Sequence, residues 1–224
     1  KSIGNIDIKP NVMYAISNRL IRNFLLTIYK LKNRKPHFFK EIEMVMNKVN
    51  TVSCVLPEEY SIIKRKFPSI KFRPYSYGEI KSIIPNKLKD FDPQELGKKI
   101  LVGNSSTPTN NHIDVFNIID EDYELIVPMS YGSDEYRELL INEYGRENIE
   151  FLIEYMPYDN YLEKLLECNT IIMNFYRQQG MGNINVALYL GMRVYLNEKN
   201  IAFQFYRDLG VHVFSFEEDF LSSI

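Results

Sequence analysis

Two segments of the chain combine residue types suited to holding an anion. The first is Gly103-Asn104-Ser105-Ser106-Thr107-Pro108-Thr109-Asn110-Asn111-His112, which follows the apolar run Ile100-Leu101-Val102. A glycine lets the backbone turn sharply and approach a ligand closely. Asn, Ser and Thr side chains, with the open amides of a following helix, can hold a pyrophosphate. An ordinary capped strand-to-helix turn uses the same residues, and the three-glycine dinucleotide fingerprint is absent. The second segment is Arg177-Gln178-Gln179-Gly180-Met181-Gly182-Asn183, after Asn174-Phe175-Tyr176. Two glycines one residue apart, ahead of an apolar helix, can aim backbone amides at phosphate oxygens. A guanidinium beside them adds a bidentate, charge-assisted contact. The plainer alternative is a glycine turn next to a surface arginine, which leaves the paired glutamines unexplained. A third segment, Glu154-Tyr155-Met156-Pro157-Tyr158, offers an aromatic shelf for a nucleobase, or simple packing around a proline turn.

These groups suit a reaction that needs positioning and stabilisation of a departing diphosphate. No Ser-His-Asp order and no zinc or Walker motif is present. His37, His112 and His212 lack metal-ligand spacing, so no structural zinc site is expected, and no cofactor is assigned. No carboxylate is marked out by context, and the catalytic residues are left unassigned. Cys54 and Cys168 each sit among apolar residues and read as reduced core thiols.

The elements that would position these segments alternate regularly from residue 100 onward. Strands are expected at Ile100–Val102, Glu124–Pro128, Ile149–Ile153, Thr170–Phe175, Met192–Leu196 and Val211–Phe216. Helices are expected between them at Asn110–Ile119, Asp134–Tyr144, Asp159–Cys168, Asn183–Leu190 and Ile201–Leu209. The strands are continuous apolar runs, as in a sheet covered on both faces. Right-handed crossovers then give an α/β fold with a doubly wound parallel sheet, whose ligand crevice lies at the carboxyl ends of the strands.

Residues 1–99 hold 20 Lys/Arg against 9 Asp/Glu, a net of +11, while residues 100–224 hold 7 against 20, a net of −13. Such asymmetry suggests two units with different partners, or a lysine-rich solvated surface. Met13, Ile16, Leu20, Phe24, Ile28 and Leu31 form an apolar stripe flanked by Arg19, Arg22, Lys30 and Lys32. That pattern fits a membrane-surface helix, and fits still better a helix packed on its own domain. A strand at Thr51–Leu56, a helix at Pro57–Phe67 and a strand at Ile70–Phe72 give this half α/β character too. The expected divisions are a partial N-terminal domain at 1–78, a linker at 79–98 and a C-terminal domain at 99–224. No run of about 18 apolar residues exists to span a membrane, and Lys1-Ser2-Ile3 begins no signal-peptide pattern.

Several of these segments, taken together and in order, resemble glycosyltransferase family 56. The resemblance rests on Ile100-Leu101-Val102-Gly103-Asn104-Ser105, Asn111-His112-Ile113, Ile126-Val127-Pro128-Met129 with Tyr131 nearby, Arg177-Gln178-Gln179-Gly180-Met181-Gly182, and Gly191, Val194, Leu196 and Asn197. It is dense over residues 100–216, weaker over 51–75 and thin over 1–50. It implies a GT-B-like glycosyltransferase with two facing Rossmann-like halves, a nucleoside diphosphate sugar donor on the C-terminal half and a lipid-linked saccharide acceptor on the N-terminal half. It implies a peripheral protein at the cytoplasmic face of a bacterial membrane, without nucleic acid as partner. Carried over residue by residue, Gly103, Asn104 and Ser105 would lie beside the donor phosphates. Arg177, Gln178, Gln179, Gly180 and Gly182, with Asn183, would hold diphosphate or sugar, and Tyr131 and Tyr155 complete the expected donor site. The family's first strands and final helix have no counterpart in residues 1–224, so this stretch alone is expected to bind donor without turning over. A nucleotide-sugar epimerase of the same architecture, or a non-catalytic nucleotide- or membrane-binding module, would share most of these features.

Overall fold

The computed structural model describes residues 37–75 and 79–220, and the apolar stripe at 13–31 lies outside them. The chain divides into two compact units, Lys1–Gly78 and Glu79–Ile224.

In the first unit the described elements are α1 (His37–Met46), β1 (Thr51–Val52), α2 (Glu59–Lys66) and β2 (Lys71–Phe72). The two strands pair in parallel, Thr51 with Lys71 and Val52 with Phe72. β1 is far shorter than the strand expected over Thr51–Leu56, and β2 is one residue shorter than Ile70–Phe72. Leu56 already faces a turn, where its N–H donates to the Glu59 carboxylate at 3.0 Å. Cys54, Leu56, Phe67 and Ile70 are buried, and the Tyr60 hydroxyl donates to the Ile70 carbonyl at 2.8 Å.

The second unit is a six-stranded, all-parallel sheet. Its strands are β3 (Lys99–Val102), β4 (Leu125–Pro128), β5 (Ile149–Leu152), β6 (Cys168–Met173), β7 (Arg193–Leu196) and β8 (Phe214–Ser215). Their spatial order is β5-β4-β3-β6-β7-β8, the doubly wound order expected of this pattern. Between them run α4 (His112–Phe116), α5 (Asp134–Tyr144), α6 (Tyr158–Leu166), α7 (Met181–Tyr189) and α8 (Ile201–Asp208), after a short α3 (Ile80–Ile83). One core cluster joins Ile100, Val102, Leu125, Val127, Ile172 and Tyr195 to Val115, Phe116 and Leu140 of the helices. The alternate strand residues Leu101, Ile126, Ile171 and Val194 are just as buried, so both sheet faces are covered. Each such side chain contributes about 1.5–3 kcal/mol by leaving water.

Three stretches differ from the sequence expectation. Residues 79–98, expected as a linker, pack onto the second unit: Ile84 and Leu88 are buried, and the Tyr189 hydroxyl donates to the Lys89 carbonyl at 2.9 Å. The helix expected over 110–119 is a 3₁₀ turn at Pro108–Asn110 followed by the short α4. The Asn110 amide donates to Ser105 and Thr107, and Asn111 adopts a left-handed φ of 54°, so local side-chain bonding displaces the helix start. The last strand holds two residues instead of six, because after Ser215 the chain folds into a π-helical turn, Phe216–Phe220, where Asp219 accepts from the Ser215 N–H.

Candidate functional site

β3 and β6 are neighbours, but the chain leaves them toward opposite edges of the sheet. The loops that follow them therefore diverge and leave a crevice at the carboxyl edge. Side chains stitch these two loops together across it. The Gln179 amide donates to Asn104 Oδ1 at 2.7 Å, and Thr109 Oγ1 donates to Gln179 Oε1 at 3.0 Å. Arg177 Nη2 lies 3.5 Å from Thr109 Oγ1, and the Asn111 amide donates to the Asn174 carbonyl at 2.7 Å. Gly103 and Arg177 thus lie on the same edge of the molecule, one loop apart.

Their contributions are unequal. Gly103 has φ +69°, and a Cβ there would stand 2.5 Å from His112 Nε2, so no side chain fits. Its N–H donates to the Ile172 carbonyl, and the Asn104 N–H donates to Asn110 Oδ1. Ser105 is buried, with its hydroxyl bonded to Thr107 and Asn110. The backbone amides of Gly103 and Asn104 are therefore engaged within the fold. What this loop presents to the crevice is the Asn104 side chain, which also donates to the Tyr131 hydroxyl at 2.7 Å.

The open amides come from the other loop. Gly180 caps α7 in the left-handed conformation, φ 62°, and no side chain caps that helix. The first-turn N–H groups of Met181, Gly182 and Asn183 have no partner within a helix by its geometry, and they carry the positive end of its dipole. A Cβ at Gly182 would meet nothing within 4 Å, so the space beside this first turn is open. Arg177 is exposed at the rim, while Gln178 and Gln179 are half-buried.

Beside this cradle is a pocket of about 290 Å³ lined by Asn104, Pro128, Ser130, Tyr131, Tyr155, Met156, Tyr158, Tyr161 and Asn183. Its lining is aromatic and amide-bearing and contains no charged residue. Tyr155 is 85% exposed and Tyr131 58%, so both side chains are open to solvent at this pocket. Tyr158, Tyr161 and Asn183 also wall a second, apolar pocket of about 360 Å³ with Ile83, Leu162, Leu165, Gly182 and Val186. Burial raises the Tyr161 hydroxyl well above the usual tyrosine range, with the Asn183 side chain beside it as the counteracting contact. Thr109 and Tyr161 were not separable from a turn and a core position by sequence. Thr109 stands in a run of small polar residues, and Tyr161 falls on the inward stripe of α6.

His112 lies directly behind the Gly103 turn. It is fully buried among Phe116 and Tyr136, with both ring nitrogens unpaired. Burial holds its pKa down at about 3, so it is a neutral packing group at neutral pH. Burial likewise pushes the Cys168 thiol up to about 12, which leaves it an inert core residue.

A doubly wound parallel sheet with an uncapped helix start, a guanidinium and an aromatic pocket at its switch point is an α/β unit whose polar groups gather where open sheets of this kind carry their ligand crevice. Residues 78–223 match the family described as 4-alpha-L-fucosyltransferase, glycosyl transferase group 56, and the chain belongs to that family. Two solved structures are similar in part. AviGT4, a glycosyltransferase involved in Avilamycin A biosynthesis, is 14% identical, with a TM-score of 0.44 over 59% of this chain and 44% of that one. WaaG, a glycosyltransferase involved in lipopolysaccharide biosynthesis, is 13% identical, with a TM-score of 0.48 over 73% of this chain and 49% of that one. The chain thus spans about half the length of either. Among the described residues, no helix is long and apolar enough to cross a membrane.

Proposed function

We propose that this chain is the donor-binding part of a GT-B-like glycosyltransferase that moves a sugar from a nucleoside diphosphate to a polyprenyl-diphosphate-linked saccharide. The observation that supports it most is the Gln179–Asn104 bridge, which brings the Arg177 loop, the uncapped start of α7 and the tyrosine pocket to one mouth. In this reading Arg177, Gln178 and the amides of Met181 to Asn183 take the diphosphate. Asn104, Tyr131 and Tyr155 take the nucleoside. Negative charge grows on the leaving diphosphate as the glycosidic bond breaks. A guanidinium and a helix dipole already aimed there would stabilise it without reorganisation, and without a requirement for metal.

The finer reading is a TDP-linked 4-acetamido-4,6-dideoxygalactose donor and a lipid II-type acceptor of enterobacterial common antigen synthesis, reached at the cytoplasmic face of the membrane. A 6-deoxygalactose skeleton is that of fucose, which agrees with the family's description. The general base is placed outside the residues assigned here. Calorimetry of the chain with TDP, UDP and inorganic phosphate tests the donor reading. Tighter binding of a nucleoside diphosphate than of phosphate is expected, and equal binding refutes it. Incubation of a nucleotide sugar without lipid separates transfer from epimerisation, since only an epimerase would change the sugar.

A further inference from the structure

Residues 100–224 hold seven Lys and Arg among 20 Asp and Glu. In so acidic a setting a cation readily finds a carboxylate, and three of the seven do. Arg137 pairs with Asp134, Arg146 with Glu121, and Lys164 with Glu150 and Glu167. Arg207 lies over the ring of Phe203, and Arg193 stands at the amino end of β7, away from the crevice edge. Arg177 and Lys199 remain. Each follows the carboxyl end of a strand, β6 and β7, and these strands are neighbours in the sheet. Neither forms an ion pair among the described residues.

The backbone of Lys199 is tied into the fold. Its N–H donates to Asn197 Oδ1 at 3.0 Å, and the Asn197 amide donates to Asn174 Oδ1 at 2.7 Å. Both asparagines are buried, so the root of Lys199 is tied to the base of the Arg177 loop. Its Nζ rests 4.9 Å from the centre of the Tyr176 ring, the residue immediately before Arg177. The adjacent acid, Glu198, turns elsewhere and lines a separate hollow with Arg207 and His212. A cation resting on a half-buried ring at the surface is held more weakly than one bonded to a phosphate oxygen, so the ammonium can leave the ring for an anion.

We infer that Lys199 is a second cationic contact for a diphosphate bound beside Arg177, at the mouth shared by the loops after β6 and β7. The inference rests on the reading that this mouth takes a diphosphate. The anion is either that of a nucleoside diphosphate or that of a lipid diphosphate.

The test titrates the chain with TDP, with TMP and with farnesyl diphosphate, using wild type, Lys199→Ala, Lys199→Arg and Arg193→Ala. Lys199 is exposed, and a melting curve checks that each variant folds. Lys199→Ala is expected to weaken at least one diphosphate five- to thirtyfold and TMP less. Lys199→Arg should stay within about threefold of wild type, because the charge persists. A loss confined to TDP assigns the contact to the donor, and one confined to farnesyl diphosphate assigns it to the acceptor. Unchanged affinities in Lys199→Ala, or an equal loss in Arg193→Ala, overturn the inference while leaving the diphosphate reading standing. Wild type that binds neither diphosphate removes both.

Discussion

Lowering the pH from 8 to 5 should loosen this fold chiefly through His112. Its imidazole is 0% exposed, both nitrogens are unpaired, and its pKa falls from 6.5 to about 3 through burial alone. In the unfolded chain the ring protonates at its ordinary pKa, while in the folded chain it stays neutral. Above that ordinary value the two states bind the same protons, so nothing is lost. As pH falls below it, the unfolded state takes up a proton that the folded state refuses, and stability drops by about 1.36 kcal/mol per pH unit until the folded pKa is reached. Between pH 8 and pH 5 the loss is about 2 kcal/mol, a large share of an ordinary domain's stability of about 5–15 kcal/mol. Urea unfolding of wild type and His112→Phe across that range measures it. Phenylalanine keeps a ring against Phe116 and Tyr136 but cannot titrate. Any constant change in its stability drops out when only the pH slope is compared. The variant should lose most of the slope. If both proteins show the same slope, or if the folded His112 ring titrates near 6.5 by NMR, the argument from burial is wrong.

Four further outcomes follow from the same structure. Arg177→Ala should weaken diphosphate binding by about 1.5–3 kcal/mol in calorimetry, the worth of a charged hydrogen bond, with little change in melting temperature. Gly103→Ala forces a left-handed φ on alanine and a Cβ against His112 Nε2, so a loss of at least about 1–2 kcal/mol is expected by denaturant unfolding. Tyr155→Ala, at an 85% exposed position, should leave stability within about 0.5 kcal/mol while weakening TDP more than inorganic pyrophosphate. Glu167→Gln removes the carboxylate shared by Lys99 and Lys164. The bond from Lys99 holds the Glu167 carboxyl below its usual range, so the stability it adds is present above that range and lost as pH falls through the lowered pKa. The variant should therefore lose up to about 1 kcal/mol at neutral pH, less in high salt, and show a shallower acid limb in urea titrations.

Much of the architecture is legible in the chain itself. A parallel strand buried on both faces must be apolar at every position, so Ile100-Leu101-Val102 and Leu125-Ile126-Val127 stand out as unbroken runs. The turns that end β3 and β6 are marked by Gly103 and Gly180, because only glycine enters a left-handed conformation there at no cost. Regular alternation then implies the doubly wound order, and with it the edge on which the crevice lies. What no local pattern encodes is which side chains meet across that crevice. Gln179 reaches Asn104 over 75 positions of sequence, and Lys199 comes to rest over Tyr176 from the next strand. Tyr161 has the spacing of a core residue, and only the packing of α6 against the start of α7 makes it a pocket wall. Backbone propensity and burial are properties of short segments and survive in the order of residues. Hydrogen-bond partnership depends on distance in space, so the division of labour between the loops, with Gly103 and Asn104 amides engaged and those of α7 open, was decided by the tertiary fold.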